Sequence, residues 1–426
     1  MDSNALAQLP KPGSDLVFTR SETLAAEARQ YVAGFTQSMM KKPEHFAPGR
    51  FPIYLASGSG ALVTDVDGNQ FIDYICGLGA NTLGHNHPVV IDALNQHLGN
   101  GLLHSLPAPV EVQAAKCLVG LIPGAEMVRF FKTGADANSA AIRLARSITE
   151  REKIVTVGYN GWHDQYMFDT PGVPAGLKDY TYRMPLFSPD DEQPLLDLVE
   201  QKGSELAAVL LSVPYNRVLS RRFIQQLRLA CRQQGVLFVI DEVVTGFRLA
   251  LGGAQEFFKV DADLVTLSKG IAAGMPLSAV AGRRELMQEM ERLQVSTTFG
   301  GELLSLEVCR AVLQTYAESD YIDRLAKLGQ RLKEGVNTAA ERLGAPLRVV
   351  GYDPIPMFLF SRDPAEHAAY AIEFVAQMAR RGVLLRRDVN FISGVHTEPQ
   401  IDFTVNAVVE SLQTMIADGV IVAQVA

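Results

Sequence analysis

Residues 235–270 read GVLFVIDEVVTGFRLALGGAQEFFKVDADLVTLSKG. Two short apolar runs, Val236–Ile240 and Leu264–Leu267, end abruptly in polar residues. The first stops at Asp241-Glu242, the second at Ser268-Lys269-Gly270. Apolar runs without alternation belong to strands covered on both faces, the habit of parallel sheets sandwiched between helices. Working outward, MVRFFKT (127–133), KIVTVG (153–158), LAAVLLSV (206–213) and LSAVAG (277–282) repeat the pattern. Helical candidates such as ANSAAIRLARSI (137–148) and RRFIQQLRLACRQQ (221–234) lie between them. The fold class that follows is α/β, with a mostly parallel central sheet covered by helices.

On either side of this block the character changes. Before it, SETLAAEARQYVAGF (21–35) reads as an amphipathic helix, KKPEHFAPGRFP (41–52) as a proline-broken loop, and ALVTDVDGNQFIDYI (61–75) as a hairpin turning at Asp67-Gly68. After it come a charged helix at 320–344, strands at 346–361, and helices at 365–382 and 400–420. The expected organisation is an N-terminal arm, 1–60, packing with a small domain; a large domain, 61–315; and a small α+β C-terminal domain, 316–426.

With Lys and Arg at 39 against Asp and Glu at 47, the net charge is −8 and no basic run stands out, which argues against nucleic acid and anionic membranes as partners. Four cysteines, Cys76, Cys117, Cys231 and Cys309, stand too far apart for a zinc pattern or a disulfide framework, so no metal is expected and a reduced, cytoplasmic setting is. MDSNALAQLPKPGSD lacks the apolar core of a signal peptide, and no apolar stretch is long enough to span a membrane. His85-Asn86-His87-Pro88 fits a turn better than a metal pair.

Open parallel sheets bind ligands beyond the carboxyl ends of their strands. Asp241 and Lys269 both follow strand ends, where each is either a solvated terminus or a functional group. Thr133-Gly134-Ala135 precedes a helix start crowded by Asp136, Asn138 and Ser139. That is either ordinary helix capping or a phosphate site. There is no G-x-G-x-x-G, Walker lysine loop or G-x-S-x-G.

At these residues the chain resembles the class III, fold-type I pyridoxal-phosphate aminotransferases, in the branch of the glutamate-1-semialdehyde aminomutases. The resemblance is carried, in order, by DVDGNQFIDYICGLGANTLGHNHP (65–88), the stretch 127–147, GYNGWHD (158–164), DEVVTGFRLALGGAQEFF (241–258), DLVTLSKGIAAGMP (263–276) and STTFGGELLSLEV (296–308). It implies pyridoxal 5'-phosphate as cofactor. Lys269 would hold it as a Schiff base and act as proton-transfer base, and Asp241 would face the pyridine nitrogen. Val243 and Trp162 would flank the ring, with His163 in the family's Tyr-His-Gly position. Thr133, Gly134 and Ala135 would take the phosphate, Ala135 lacking the family's usual hydroxyl. Thr298 would reach the phosphate of a neighbouring subunit, implying a homodimer with active sites at the subunit interface.

Three departures shape the expected function. WHDQYMFDTPGVP (162–174) lacks the aminomutase's Gly/Ser-rich gating loop. LLSVPYNRVLS (210–220) shortens a loop on the substrate side, and FISGVHTEPQID (391–402) has no carboxylate-clamping arginine. Arg248, Arg386 and Arg387 are the substitutes considered, against readings of structural pairing for Arg248 and a solvated basic turn for the other two. The expectation is transfer of an amino group from a small-molecule donor amino acid to a carbonyl acceptor. An aminomutase or racemase is the alternative, and a non-catalytic relative is the rival from another class.

Overall fold

The computed structural model describes residues 6, 9 and 16–423, so most of the first fifteen residues of the expected arm lie outside it. The chain forms two compact units. One combines the described residues up to His87 with those from Asp323 onward, and the other is Pro88–Ile322. No described helix is long and apolar enough to cross a membrane.

In the first unit a helix, Thr19–Tyr31, starts where Asp67 accepts the backbone N–H groups of Arg20 and Ser21 and the Ser21 hydroxyl. Asp67 lies in the expected turn, with Gly68 at φ +94°. Around it β1 (Leu55–Ser59), β2 (Leu62–Asp65) and β3 (Gln70–Asp73) form an antiparallel meander.

The second unit holds a seven-stranded sheet. Its strands are β4 (Met127–Phe131), β5 (Lys153–Val157), β6 (Thr181–Met184), β7 (Leu206–Leu211), β8 (Leu237–Asp241), β9 (Leu264–Leu267) and β10 (Ser278–Gly282), in the spatial order β4-β10-β9-β8-β7-β5-β6. Only β10 runs against its neighbours. Every residue of β7, β8, β9 and β10 is buried, as their unbroken apolar runs require. The edge strand β6, TYRM, has no such run. With a neighbour on one side only and Arg183 outward, it was not foreseen. The helix Gly134–Thr149 lays Ala137, Ala141, Ile142, Leu144 and Ala145, all fully buried, onto β7, β9 and β10. Its alanines bring helix and sheet close, and each buried Ile or Leu contributes about 2 kcal/mol.

The chain then returns to the first unit with the helix Tyr321–Arg342, the hairpin β11 (Arg348–Tyr352) and β12 (Ile355–Leu359), the helix Pro364–Arg380, β13 (Val383–Leu384) and the helix Glu398–Ala417. β13 pairs in parallel with β3, Val383 opposite Ile72. That pairing draws the hairpin at 61–75, expected in the large domain, into the unit that contains the C-terminal helices. Local pattern could not reveal it, because the partners lie some three hundred residues apart.

Candidate active site

Strand register brings the chemistry together. Asp241 stands beside Thr266 in the β8–β9 pair, and Lys269 follows three residues on. Because β10 is antiparallel to both neighbours, its Ser278 lies beside Phe131, the carboxyl end of β4. The Ser278 hydroxyl donates to the carbonyl of Thr133 at 2.6 Å. β5 ends at Val157, beside Leu211, and sends out the loop bearing Asn160, Trp162 and His163. Four carboxyl ends thus deliver 133–138, 158–163, 241–243 and 269 to one edge of the sheet, where such sheets hold ligands.

Lys269 opens a tight turn, Lys269–Ala272, with φ +44°, a left-handed conformation that strains a residue with a Cβ by about 1 kcal/mol. Two bonds brace the turn. The Ser268 hydroxyl donates to the Leu277 carbonyl at 2.9 Å, and the buried Tyr316 hydroxyl donates to the Gly270 carbonyl at 2.8 Å.

Asp241 is buried, and one of its oxygens, Oδ2, accepts two amide donors, Asn138 Nδ2 at 2.8 Å and Asn160 Nδ2 at 2.9 Å. Oδ1 accepts the Val243 N–H at 3.0 Å. Burial pushes its carboxyl above the usual range, opposed by these hydrogen bonds and by the charge of Lys269. The two amides are what sequence reading missed. Asn138 had been placed at a helix start, but it projects from the same buried face as its alanine neighbours. A lone amide on an alanine face was the available signal.

The neighbouring acid has a different job. Glu242 accepts the Thr245 hydroxyl at 2.6 Å and the N–H groups of Ala254 and Gln255 at the start of the short helix Gly253–Phe258. Burial lifts its carboxyl from 4.5 to about 7. The folded state therefore favours the protonated form. The stability this adds is complete below the unfolded value and is lost as pH rises through about 7, an effect of about 3 kcal/mol. Glu242→Gln stays neutral, so its deficit against the wild type, set at pH 5 by one lost acceptor, is expected to shrink by that amount at pH 7.5. Urea melts of the cofactor-free proteins measure this, and parallel pH profiles would contradict it.

Thr133 and Asp136 form a reciprocal cap. The Asp136 N–H donates to Thr133 Oγ1 at 3.2 Å, and the Thr133 N–H donates to Asp136 Oδ2 at 2.9 Å. Capping is therefore real, and it leaves the N–H groups of Gly134 and Ala135 outside the box. Both residues sit in tight quarters. A Cβ on Gly134 would lie 2.8 Å from a Val243 methyl, and one on Gly161, at φ +115°, 2.6 Å from that of Ala135. The Trp162 indole is 69% exposed and meets the His163 ring edge-on at 5.1 Å. His163 Nδ1 shares a hydrogen bond of 2.7 Å with the Ser139 hydroxyl. Thr298 lies exposed in a turn, Thr298–Gly301.

The three arginines considered for substrate are all engaged elsewhere. Arg248 is 1% exposed and donates to the Val244 carbonyl at 2.8 Å. Arg386, expected in a solvated turn, is buried. It grips both oxygens of Asp388, at 2.8 and 3.0 Å, and reaches the Met40 carbonyl at 3.0 Å. Arg387 donates to the Glu44 carbonyl. Arg386 and Arg387 thereby tie the loop at 40–44 to the C-terminal part of their unit, so proline-broken sequence is held by long-range bonds. His85, one of the pair at 85–87, shares a 2.7 Å contact with Asp73.

The model of the class III aminotransferases matches residues 46–393, most of the chain. The chain belongs to that family. Among its relatives, the glutamate-1-semialdehyde 2,1-aminomutase of Thermomicrobium roseum is 34% identical, over 93% of this chain and 99% of its own. That of Methanosarcina acetivorans is 31% identical, over 94% and 100%. A solved transaminase with pyridoxal phosphate bound superposes with a TM-score of 0.86 at 27% identity, covering 95% of this chain and 99% of that one. For a class III aminotransferase, the residues fit pyridoxal phosphate on their own geometry. A buried carboxylate retains acceptor capacity on Oδ1, and an amine close enough to influence it electrostatically follows the next strand. A helix start with two N–H groups outside its cap completes the set.

Proposed function

We propose that this chain is a pyridoxal-phosphate-dependent aminotransferase. It moves an amino group from a donor amino acid to a carbonyl acceptor, as a homodimer in the cytoplasm. The observation that carries transfer between two substrates is the anchoring of residues 163–183. Tyr166 is buried, and the Thr181 hydroxyl donates to the Gln165 carbonyl at 3.0 Å. Arg183 binds Asp169 at 2.8 Å, bonds the Tyr166 carbonyl and stands 4.5 Å over the Phe168 ring. Pinned at these points, the segment leaves only residues 170–180 between its anchors, and that stretch lacks the Gly/Ser-rich run of the aminomutase gating loop. An aminomutase must hold a free diamine between its half-reactions, which calls for a closing lid. The aminomutase reading has its own support in the relatives at 31% and 34% identity, and it is the second outcome of the test below.

When bound, pyridoxal phosphate supplies an electron-accepting ring and a carbon that carries the amino group between substrates. Asp241 holds a proton on the ring nitrogen. Lys269 anchors the group and moves a proton to and from the substrate α-carbon through Nζ. The Gly134 and Ala135 N–H groups take the phosphate, with the helix start behind them. Val243 and Trp162 exclude water from the two ring faces. Exposed Thr298 and Phe299, with exposed Leu102, Leu103 and Leu106 in the same unit, are surface that a second copy would cover, bringing its phosphate to Thr298.

The test supplies glutamate or alanine to the cofactor-loaded enzyme without acceptor. About one equivalent of 2-oxo acid per site is expected, with sustained turnover only after a carbonyl acceptor is added. Isomerisation of glutamate-1-semialdehyde with no amino exchange would instead establish the aminomutase.

A further inference from the structure

Two amides converge on one oxygen of Asp241, and a third side chain fastens one of them. Asn138 comes from the helix Gly134–Thr149, Asn160 from the loop after β5, and Thr266 from β9. All three are nearly or fully buried. Both polar atoms of the Asn138 side chain are engaged. Its Nδ2 donates to Asp241 Oδ2 at 2.8 Å and to the Asn160 carbonyl at 2.9 Å, and its Oδ1 accepts the Thr266 hydroxyl at 2.6 Å. Both partners of Nδ2 are pure acceptors, so the orientation of this amide is determined by the bonds themselves. Asn160 adds the second donor to Oδ2 at 2.9 Å.

The consequence is an asymmetric carboxylate. Oδ2 is occupied by two side-chain amides, while Oδ1 takes a single N–H from Val243. We infer that Asn138 and Asn160, with Thr266 fastening Asn138, are positioning residues that turn the Asp241 carboxylate so that Oδ1 is the oxygen offered to the pyridine nitrogen. This rests on the reading of Asp241 as the cofactor's partner. The same amides also favour the ionised form against the desolvation that opposes it. The charged or titratable groups that act on Asp241, or on which it acts, are Lys269, Glu242 and Tyr166. None of them is altered by the substitutions below.

The experiment measures pyridoxal-phosphate affinity of the cofactor-free protein against pH, independently of turnover. Asn160→Ala is expected to weaken binding about tenfold near neutral pH, with the acid limb of the affinity profile displaced about one unit upward, the loss expected for one charge-assisted hydrogen bond. Thr266→Val, isosteric and at a hydroxyl that bonds Asn138 and not the Asp241 carboxylate, is expected to shift the limb the same way by a smaller amount, and Thr266→Ser to restore it. In an Asp241→Asn background Asn160→Ala is expected to add little, since the group it acts through has gone. A lowered melting temperature with an unmoved acid limb would reduce these residues to packing and overturn the inference. If Asp241→Asn itself left affinity and its pH dependence unchanged, the assignment of Asp241 would fall first. If Asp241→Asn moved them and Asn160→Ala and Thr266→Val did not, only the positioning role would fall.

Discussion

Lys269→Ala is expected to lower turnover by about 10⁴-fold or more while leaving the fold intact. The estimate combines loss of the nucleophilic amine with loss of a general base, itself worth about 10²–10⁴-fold. The fold survives because Ala tolerates φ +44° no worse than Lys, and because Ser268 and Tyr316 brace the turn without using the side chain. Cofactor would remain, held by Asp241 and the helix start at Gly134, but without a covalent link. Mass spectrometry after borohydride reduction reads that link directly. A cofactor adduct on the wild-type chain and none on the variant is the expected pair of spectra, and an undiminished adduct on the variant would remove Lys269 from its role.

Asp241→Asn is expected to cost about 10³-fold in turnover, in the range seen when one electrostatic stabiliser is taken from a buried site. The side-chain oxygen would stay with the donors Asn138 and Asn160, which leaves the new NH₂ where Oδ1 was. There it opposes the Val243 N–H, and toward the cofactor it offers a donor in place of an acceptor. The ring nitrogen then accepts a bond, stays neutral and ceases to draw electrons. Cofactor is retained, more weakly. The comparison is kcat together with cofactor affinity. A loss in kcat of less than tenfold would mean that another group keeps the nitrogen protonated.

Much of the large unit was legible along the chain. The runs that became β7, β8, β9 and β10 are apolar because both their faces are covered, and that requirement is written into each residue. The cap at Thr133 and the turn at Asp67-Gly68 were readable for a similar reason, since Asp, Thr and Gly are used there for local backbone bonds. β6 was missed because an edge strand can remain polar on one side. The arginines mislead for another reason. Arg386 was expected in a solvated turn, yet it binds Asp388 two residues away and Met40 in the N-terminal loop. Local composition cannot separate a solvated arginine from one whose partner arrives from elsewhere.

The sequence by itself determined the family and the class of fold, and through the family resemblance it singled out Lys269 and Asp241 for the proposed chemistry. Each of these rests on residue type within a short window, on strand ends, turn residues and their order. Only the tertiary structure decided which unit holds the hairpin at 61–75, which of the adjacent acids Asp241 and Glu242 caps a helix, and which oxygen of Asp241 remains open. It also decided that Asn138, Asn160 and Thr266 meet. These are relations among side chains brought together from distant parts of the chain. Hydrogen bonding is directional and short-ranged, so such relations exist only once packing has placed donor and acceptor within about 3 Å of each other.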